Sequence, residues 1–104
     1  MSVPEYEVFA IRVGANAQRT ARESFLYDAC CGDPNAPMPL DYYFWVIRNA
    51  EHVVVVDTCF QPATADRRDR QMYRRPENSL RQLDIDPAQV KQLILTHLHW
   101  DHAG

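Results

Sequence analysis

The stretch Thr96-His97-Leu98-His99-Trp100-Asp101-His102-Ala103-Gly104 (THLHWDHAG) decides how this chain of 104 residues is read. It places His97, His99, Asp101 and His102 within six positions, and three of the chain's four histidines fall there. Imidazole nitrogen and carboxylate oxygen are donors that divalent zinc, iron, manganese and cobalt accept. Gln92-Leu93-Ile94-Leu95-Thr96 precedes the motif and reads as a short buried strand. Side chains two apart in extended backbone point the same way. His97, His99 and Asp101 therefore converge on one side if the extended path persists, and His102, offset by one, joins them only if the loop turns. The pattern is not HExxH, whose ligands lie four apart on a helix face. It suits a loop at the C-terminal edge of a strand, where a rigid scaffold presents functional groups. A polar turn with unrelated histidines would not set an Asp in register behind a strand, and a purification scar would be a homopolymer.

Outward from the motif, Asp86-Pro87-Ala88-Gln89-Val90 reads as an N-cap followed by proline at the first helical position. Glu77 to Leu83 reads as a short helix after Pro76. Thr64 to Arg75 is charged and roughly helical, with Asp66 four residues before Arg70. Asp41 to Arg48 (DYYFWVIR) and Val53 to Val56 read as strands joined by the turn Asn49 to His52, a hairpin. Both are nearly continuous in apolar residues, which implies cover on both faces. Gly32 to Leu40 (GDPNAPMPL) holds three of the seven prolines and is a loop. Glu5 to Val13 reads as a first strand and Ser24 to Tyr27 as another short one. There is no repeat, low-complexity tract or internal domain boundary, so residues 1–104 belong to one domain.

Composition is that of an ordinary soluble globular protein, 46% hydrophobic and 24% charged. A net charge of −3 argues against nucleic acid as a partner. The N-terminus lacks the basic start and apolar core of a signal peptide, and no stretch reaches the ~20 apolar residues of a membrane span. The cytoplasm is the expected location. Cys30, Cys31 and Cys59 lack CxxC spacing and read as free thiols in a reducing compartment; nothing arranges a base beside any of them. His52 reads as a solvated turn histidine. Tyr42 to Trp45 read as core rather than a substrate platform, and Arg67, Arg68, Arg70, Arg74 and Arg75 as a solvated helix face. Trp100, between two candidate ligands, either packs on the sheet or lines the site.

H-x-H-x-D-H at His97, His99, Asp101 and His102 resembles the metal-binding motif of the metallo-β-lactamase superfamily. The resemblance implies that His97 and His99 bind one metal and that Asp101 and His102 bind a second. It also implies that Asp57, ending the VVVVD strand, orients a ligand histidine from behind. Two divalent ions about 3.5–4 Å apart would polarise a carbonyl and supply hydroxide near neutral pH, with Asp101 as ligand and orienter of that hydroxide. Zinc is the first expectation, and iron, cobalt or manganese suit the same donors. The family often has VDTG where this chain has VDTC, so Cys59 stands where a glycine with positive φ is expected.

From Tyr6 onward, PMPLDYYFWVIRNAEHVVVVDTCF and then LTHLHWDHAG resemble the N-terminal part of N-acyl homoserine lactonase-like proteins, which open lactone rings and can silence quorum-sensing signals. The implied fold is an α+β αββα sandwich of about 250 residues, of which this chain holds the N-terminal half. The implied function is a metal-dependent hydrolase of lactones using a metal-bound hydroxide, acting on a small-molecule ester or lactone. The alternatives are hydrolysis of a thioester, β-lactam or phosphodiester, or a truncated, non-catalytic metal-binding chain. His99, where flavin- and di-iron-bearing members often have Glu, argues against an oxygen or nitric oxide reductase. Further ligands are expected downstream of Gly104, so the 104 residues alone are expected to be inactive. Half a sandwich would leave an apolar sheet face open, which a homodimer could cover.

Overall fold

The computed structural model describes residues 3–26 and 32–104. The strands are β1 (Glu7–Asn16), β2 (Leu40–Arg48), β3 (Val53–Val56), β4 (Gln71–Met72) and β5 (Gln92–Ile94). The α-helices are α1 (Ala21–Ser24), α2 (Pro62–Arg68) and α3 (Pro76–Gln82), with a 3-10 turn at Pro87–Gln89. Among the described residues the strands form one sheet in the order β4-β1-β2-β3-β5. All neighbours are antiparallel except β3 and β5, which run parallel. The architecture is α+β, a mixed sheet with helices on one face.

β2 and β3 form the expected hairpin, with Trp45 opposite Val56 and Arg48 opposite Val53. Asn49 closes its turn: the side-chain oxygen accepts from the backbone N–H groups of Glu51 (2.9 Å) and His52 (2.8 Å). His52 is exposed there, as a solvated turn residue. Alternation along β2 sends Tyr42, Phe44 and Val46 into the core and Tyr43, Trp45 and Ile47 to the opposite face. The core face also collects Val13, Val55, Phe60, Ala65, Leu80 and Ile85, from the sheet, α2, α3 and the turns beside them. Among the described residues the opposite face is partly buried, with Tyr43, Trp45 and Ile47 half-exposed. Trp45 and Tyr43 stack there on each other, ring centroids 6.5 Å apart.

β1 runs past its expected end at Val13 because a bulge between Arg12 and Gly14 lets the strand continue to Asn16. The bulge turns Val13 fully into the core and brings Gly14 and Ala15 against β4. Gly14 is required there, since a Cβ would collide with the Gln71 carbonyl.

The long helix expected over Thr64 to Arg75 is not formed. α2 stops at Arg68 because Asp69 takes a left-handed conformation (φ 55°) and returns its N–H to Ala65 and Asp66. Gln71 and Met72 then pair with β1, a tertiary demand that overrides local helical composition. Arg70 lies beyond the helix and donates to the Arg68 carbonyl (2.7 Å) instead of reaching Asp66. Ser24 belongs to the helical turn α1, not to a strand, while Tyr27, Cys30 and Cys31 lie outside the described residues. The Asp86 cap forms as expected, its carboxylate accepting from the Ala88 N–H at 3.0 Å.

β5 forms, but it is not buried: all three of its residues are exposed, Leu93 at 50% and Ile94 at 53%. It lies at the edge of the sheet, paired on one side to β3. Among the described residues, no helix is long and apolar enough to cross a membrane.

Candidate metal centre

Because β3 and β5 are parallel, their C-terminal ends lie side by side, and the segments leaving them share one edge of the sheet. The Asp57 N–H donates to the Ile94 carbonyl at 2.8 Å, carrying the pairing one step past the strands. The chain after β3 then takes a left-handed turn at Asp57 (φ 66°) and again at Cys59 (φ 56°). Cys59 adopts the conformation that glycine would occupy at no steric cost. The substitution therefore leaves the turn in place and adds strain.

The double turn buries the Asp57 side chain completely. Its carboxylate accepts from the Thr96 N–H (2.8 Å), from the Thr96 hydroxyl (2.9 Å to Oδ2) and from His102 Nδ1 (2.7 Å). Burial pushes the carboxyl pKa up. The Thr96 N–H, the His102 ring, the Thr96 hydroxyl and the charge of His102 together outweigh it, and the pKa settles below its ordinary value. Held as a carboxylate, Asp57 keeps the His102 proton on Nδ1 and leaves Nε2 free to ligate. Thr96, which the sequence reading did not single out, both satisfies Asp57 and places its hydroxyl 2.9 Å from His97 Nδ1, leaving the far nitrogen of that ring open. Its signal in the sequence is slight: a hydroxyl residue between a strand and the first histidine.

The extended path stops at His99. The N–H groups of His102 and Ala103 both return to the His99 carbonyl (3.0 Å each), forming the turn that His102 needs. His97 consequently lies 4.6 Å from His99 and 4.0 Å from His102 between ring centroids. Asp101 sits in the turn with Oδ2 3.3 Å from His102 Nε2, so its oxygen and that nitrogen border the same point. All four motif residues are neighbours, with three ring nitrogens and one carboxylate as the donor set. Among the described residues no group of three or more His, Cys, Asp or Glu side chains converges closely enough to hold an ion as placed. The fit therefore lies in the donor chemistry and in the tautomer control exerted by Asp57 and Thr96.

The loop is fastened to the turn after β3 at several points. The Thr58 N–H donates to the His102 carbonyl (2.9 Å), and its hydroxyl donates to the carbonyls of His102 (3.2 Å) and Gly104 (3.0 Å). The Gly104 N–H donates to the Cys59 carbonyl (3.0 Å). A Cβ on Gly104 would sit 2.5 Å from that carbonyl oxygen and 2.7 Å from Phe60 Cα, which is the physical reason for glycine after Ala103. Trp100 packs on the core side, its ring 5.4 Å from Tyr42 and 5.2 Å from Phe60. The Cys59 thiol is buried and free. Burial, then the charges of Asp101 and Asp57, push its pKa up to about 12, so it is no thiolate nucleophile.

A hairpin is thus followed by a parallel strand, with a histidine-rich loop beside a buried aspartate at the strand ends. Residues 38–104 match the metallo-beta-lactamase superfamily, well over half of the chain, and the chain belongs to that superfamily. Its members generally bind divalent metals, often zinc. Among solved structures, the chain is similar to a quorum-quenching N-acyl homoserine lactone lactonase, with 20% identity and a TM-score of 0.63 over 93% of this chain and 39% of that one. It is also similar to an N-acyl homoserine lactone hydrolase that carries the product N-hexanoyl-L-homoserine at its catalytic metal centre, with 17% identity and a TM-score of 0.62 over 100% of this chain and 44% of that one. At these identities the likeness is one of fold. The chain spans about two-fifths of the length of these structures, 39% and 44%. No match was found among curated proteins.

Proposed function

We propose that this chain is the N-terminal portion of a single-domain, dinuclear metal-dependent hydrolase that opens lactone rings of the N-acyl homoserine type. The observation that carries the reading is the Asp57–His102 pair at 2.7 Å, set where His97, His99 and Asp101 gather at the ends of two parallel strands. In this reading His97 and His99 hold one divalent ion, and Asp101 and His102 contribute to a second, with zinc the first choice. The ions, when bound, supply Lewis acidity and a nucleophile at neutral pH.

The chain's own residues do the rest. Asp57 fixes the His102 tautomer and holds its proton at Nδ1. Thr96 orients the His97 ring. Asp101, in the turn beside His102 Nε2, would orient the nucleophile that bound ions supply. Trp100 and Gly104 hold the loop against the core. The lactonase neighbours support the choice of a cyclic ester as substrate.

Two measurements test this. Equilibrium dialysis against zinc or cobalt should show binding at micromolar concentration that is lost in the double variant His97→Ala/His99→Ala. Undiminished binding in that variant would refute the metal assignment. The protein carrying its whole coding sequence should hydrolyse N-acyl homoserine lactones in preference to acyl thioesters; the reverse order would refute the substrate.

A further inference from the structure

The guanidinium of Arg68, the last residue of α2, lies 4.3 Å from the centre of the Trp100 ring. Trp100 stands between His99 and Asp101, and its other contacts are edge-to-face with Tyr42 (62° between planes) and tilted with Phe60 (55°). Tyr42 and Phe60 are themselves packed at 5.2 Å, 83° between planes, and both are buried. The indole is thus fixed on one side by core aromatics and on another by a cation. The cation is drawn to the negative face of the ring, and the aromatic pairs hold another side. Two rotatable bonds join the indole to its Cα, and a ring held between Tyr42, Phe60 and the Arg68 guanidinium restricts both, which anchors the backbone between His99 and Asp101.

From this geometry we infer that Arg68 is a positioning residue for the metal loop, acting through Trp100: it holds the indole against Tyr42 and Phe60 and so fixes the spacing of His99 and Asp101. The inference rests on the metal-site reading above. It also separates Arg68 from the arginine-rich stretch around it, which the sequence presents as one solvated face. Arg67, adjacent and exposed like Arg68 itself, carries the same charge and provides the matched comparison.

The test uses the chain labelled with fluorotryptophan, whose two tryptophans, Trp45 and Trp100, give separate fluorine resonances. Arg68→Ala should move the Trp100 resonance and leave that of Trp45 in place. It should also raise the zinc dissociation constant of the folded protein about two- to fivefold, the factor that a cation–π contact from an exposed arginine supports. Arg68→Lys should recover part of the affinity, since an ammonium retains the attraction to the ring without the planar stacking. Arg67→Ala should change neither readout.

A purely structural role predicts a lower denaturation midpoint with unchanged zinc affinity, and that result would overturn the inference. So would an equal loss of affinity in Arg67→Ala, which would reduce the effect to general charge. If the wild-type chain binds no zinc through His97 and His99, the metal-site reading fails and this inference falls with it. If wild-type binding is intact and Arg68→Ala matches it, the inference alone fails.

Discussion

Replacing Asp57 by Asn removes one charge from a fully buried side chain and leaves its volume nearly unchanged. The carboxylate serves two clients at once: Thr96, through its N–H at 2.8 Å and its hydroxyl, and His102, through Nδ1 at 2.7 Å. An amide has one acceptor oxygen. If that oxygen keeps the Thr96 N–H, the amide nitrogen faces His102 as a donor. The ring must then accept at Nδ1 and carry its proton on Nε2, the nitrogen needed as a ligand. A hydrogen bond to a charged group contributes about 1.5–3 kcal/mol, so the apo protein should lose about 2 kcal/mol in chemical denaturation. Loss of the carboxylate partner of a ligating histidine should weaken metal binding about 10- to 100-fold. Asp57→Ala leaves the Thr96 N–H and the imidazole without a buried partner at a cost of about 3–5 kcal/mol, a large share of the roughly 5–15 kcal/mol total for a natural domain. Zinc competition with a chromophoric chelator measures the affinity, and nitrogen-15 shifts of the imidazole report the tautomer. Zinc affinity in Asp57→Asn within twofold of wild type, with the proton still on Nδ1, would refute the proposed division of labour.

The same carboxyl sets an acid limit on stability. Its folded-state pKa lies below the ordinary 3.8, so the unfolded chain takes up the proton first as the pH falls. The contribution is complete well above that value and is lost as the pH descends through the folded-state pKa; the slope of unfolding free energy against pH below about 4 should flatten in Asp57→Asn. At Cys59, glycine relieves about 1–2 kcal/mol of left-handed strain while giving up the buried thiol and adding unfolded-state entropy. Cys59→Gly should therefore stay within about 1 kcal/mol of wild type, whereas Cys59→Val, β-branched at positive φ, should lose more than about 2 kcal/mol in urea denaturation. Gly104→Ala should lower zinc affinity by displacing the end of the loop from Cys59 and Phe60, as read by the same chelator competition. Gly14→Ala should detach β4, seen as faster amide exchange at Met72, with little change at the hairpin β2–β3.

Where the sequence was legible, one demand fixed each residue. The hairpin could be read because Asp41 to Arg48 and Val53 to Val56 combine β-branched and aromatic residues around an Asn-led turn, and the structure differs by a single residue at Leu40. The Asp86–Pro87 start could be read because a cap and a proline act locally. Thr64 to Arg75 misleads because its composition favours a helix throughout, while Gln71 and Met72 are taken by the edge of the sheet at Gly14 and Ala15, adjacent in space but more than fifty residues earlier in sequence. No window of local propensity contains that partner. β5 misleads differently. Its apolar run implies burial, and its pairing with β3 is formed, but among the described residues Leu93 and Ile94 stay about half exposed. An apolar pattern records the cover a strand requires, not the cover that any given span of chain provides.

The candidate site follows the same division. The four motif residues are legible because metal chemistry restricts the donor types. Of what organises them, only Asp57 is legible, through the resemblance; the rest lies in the segment that follows it, about forty residues before the motif. Asp57 reaches Thr96 and His102, Thr58 reaches His102 and Gly104, Cys59 takes the Gly104 N–H, Phe60 meets Trp100, and Arg68 meets Trp100 from the other end of α2. Residues 57–68 thus form a continuous brace under residues 96–104. The backbone is left-handed at both Asp57 and Cys59, where the brace turns beneath the loop and presents the Asp57 carboxylate and the Cys59 carbonyl to the same nine residues. The left-handed conformation at Cys59 is therefore part of how the loop is held, because it turns the Cys59 carbonyl to the Gly104 N–H at 3.0 Å.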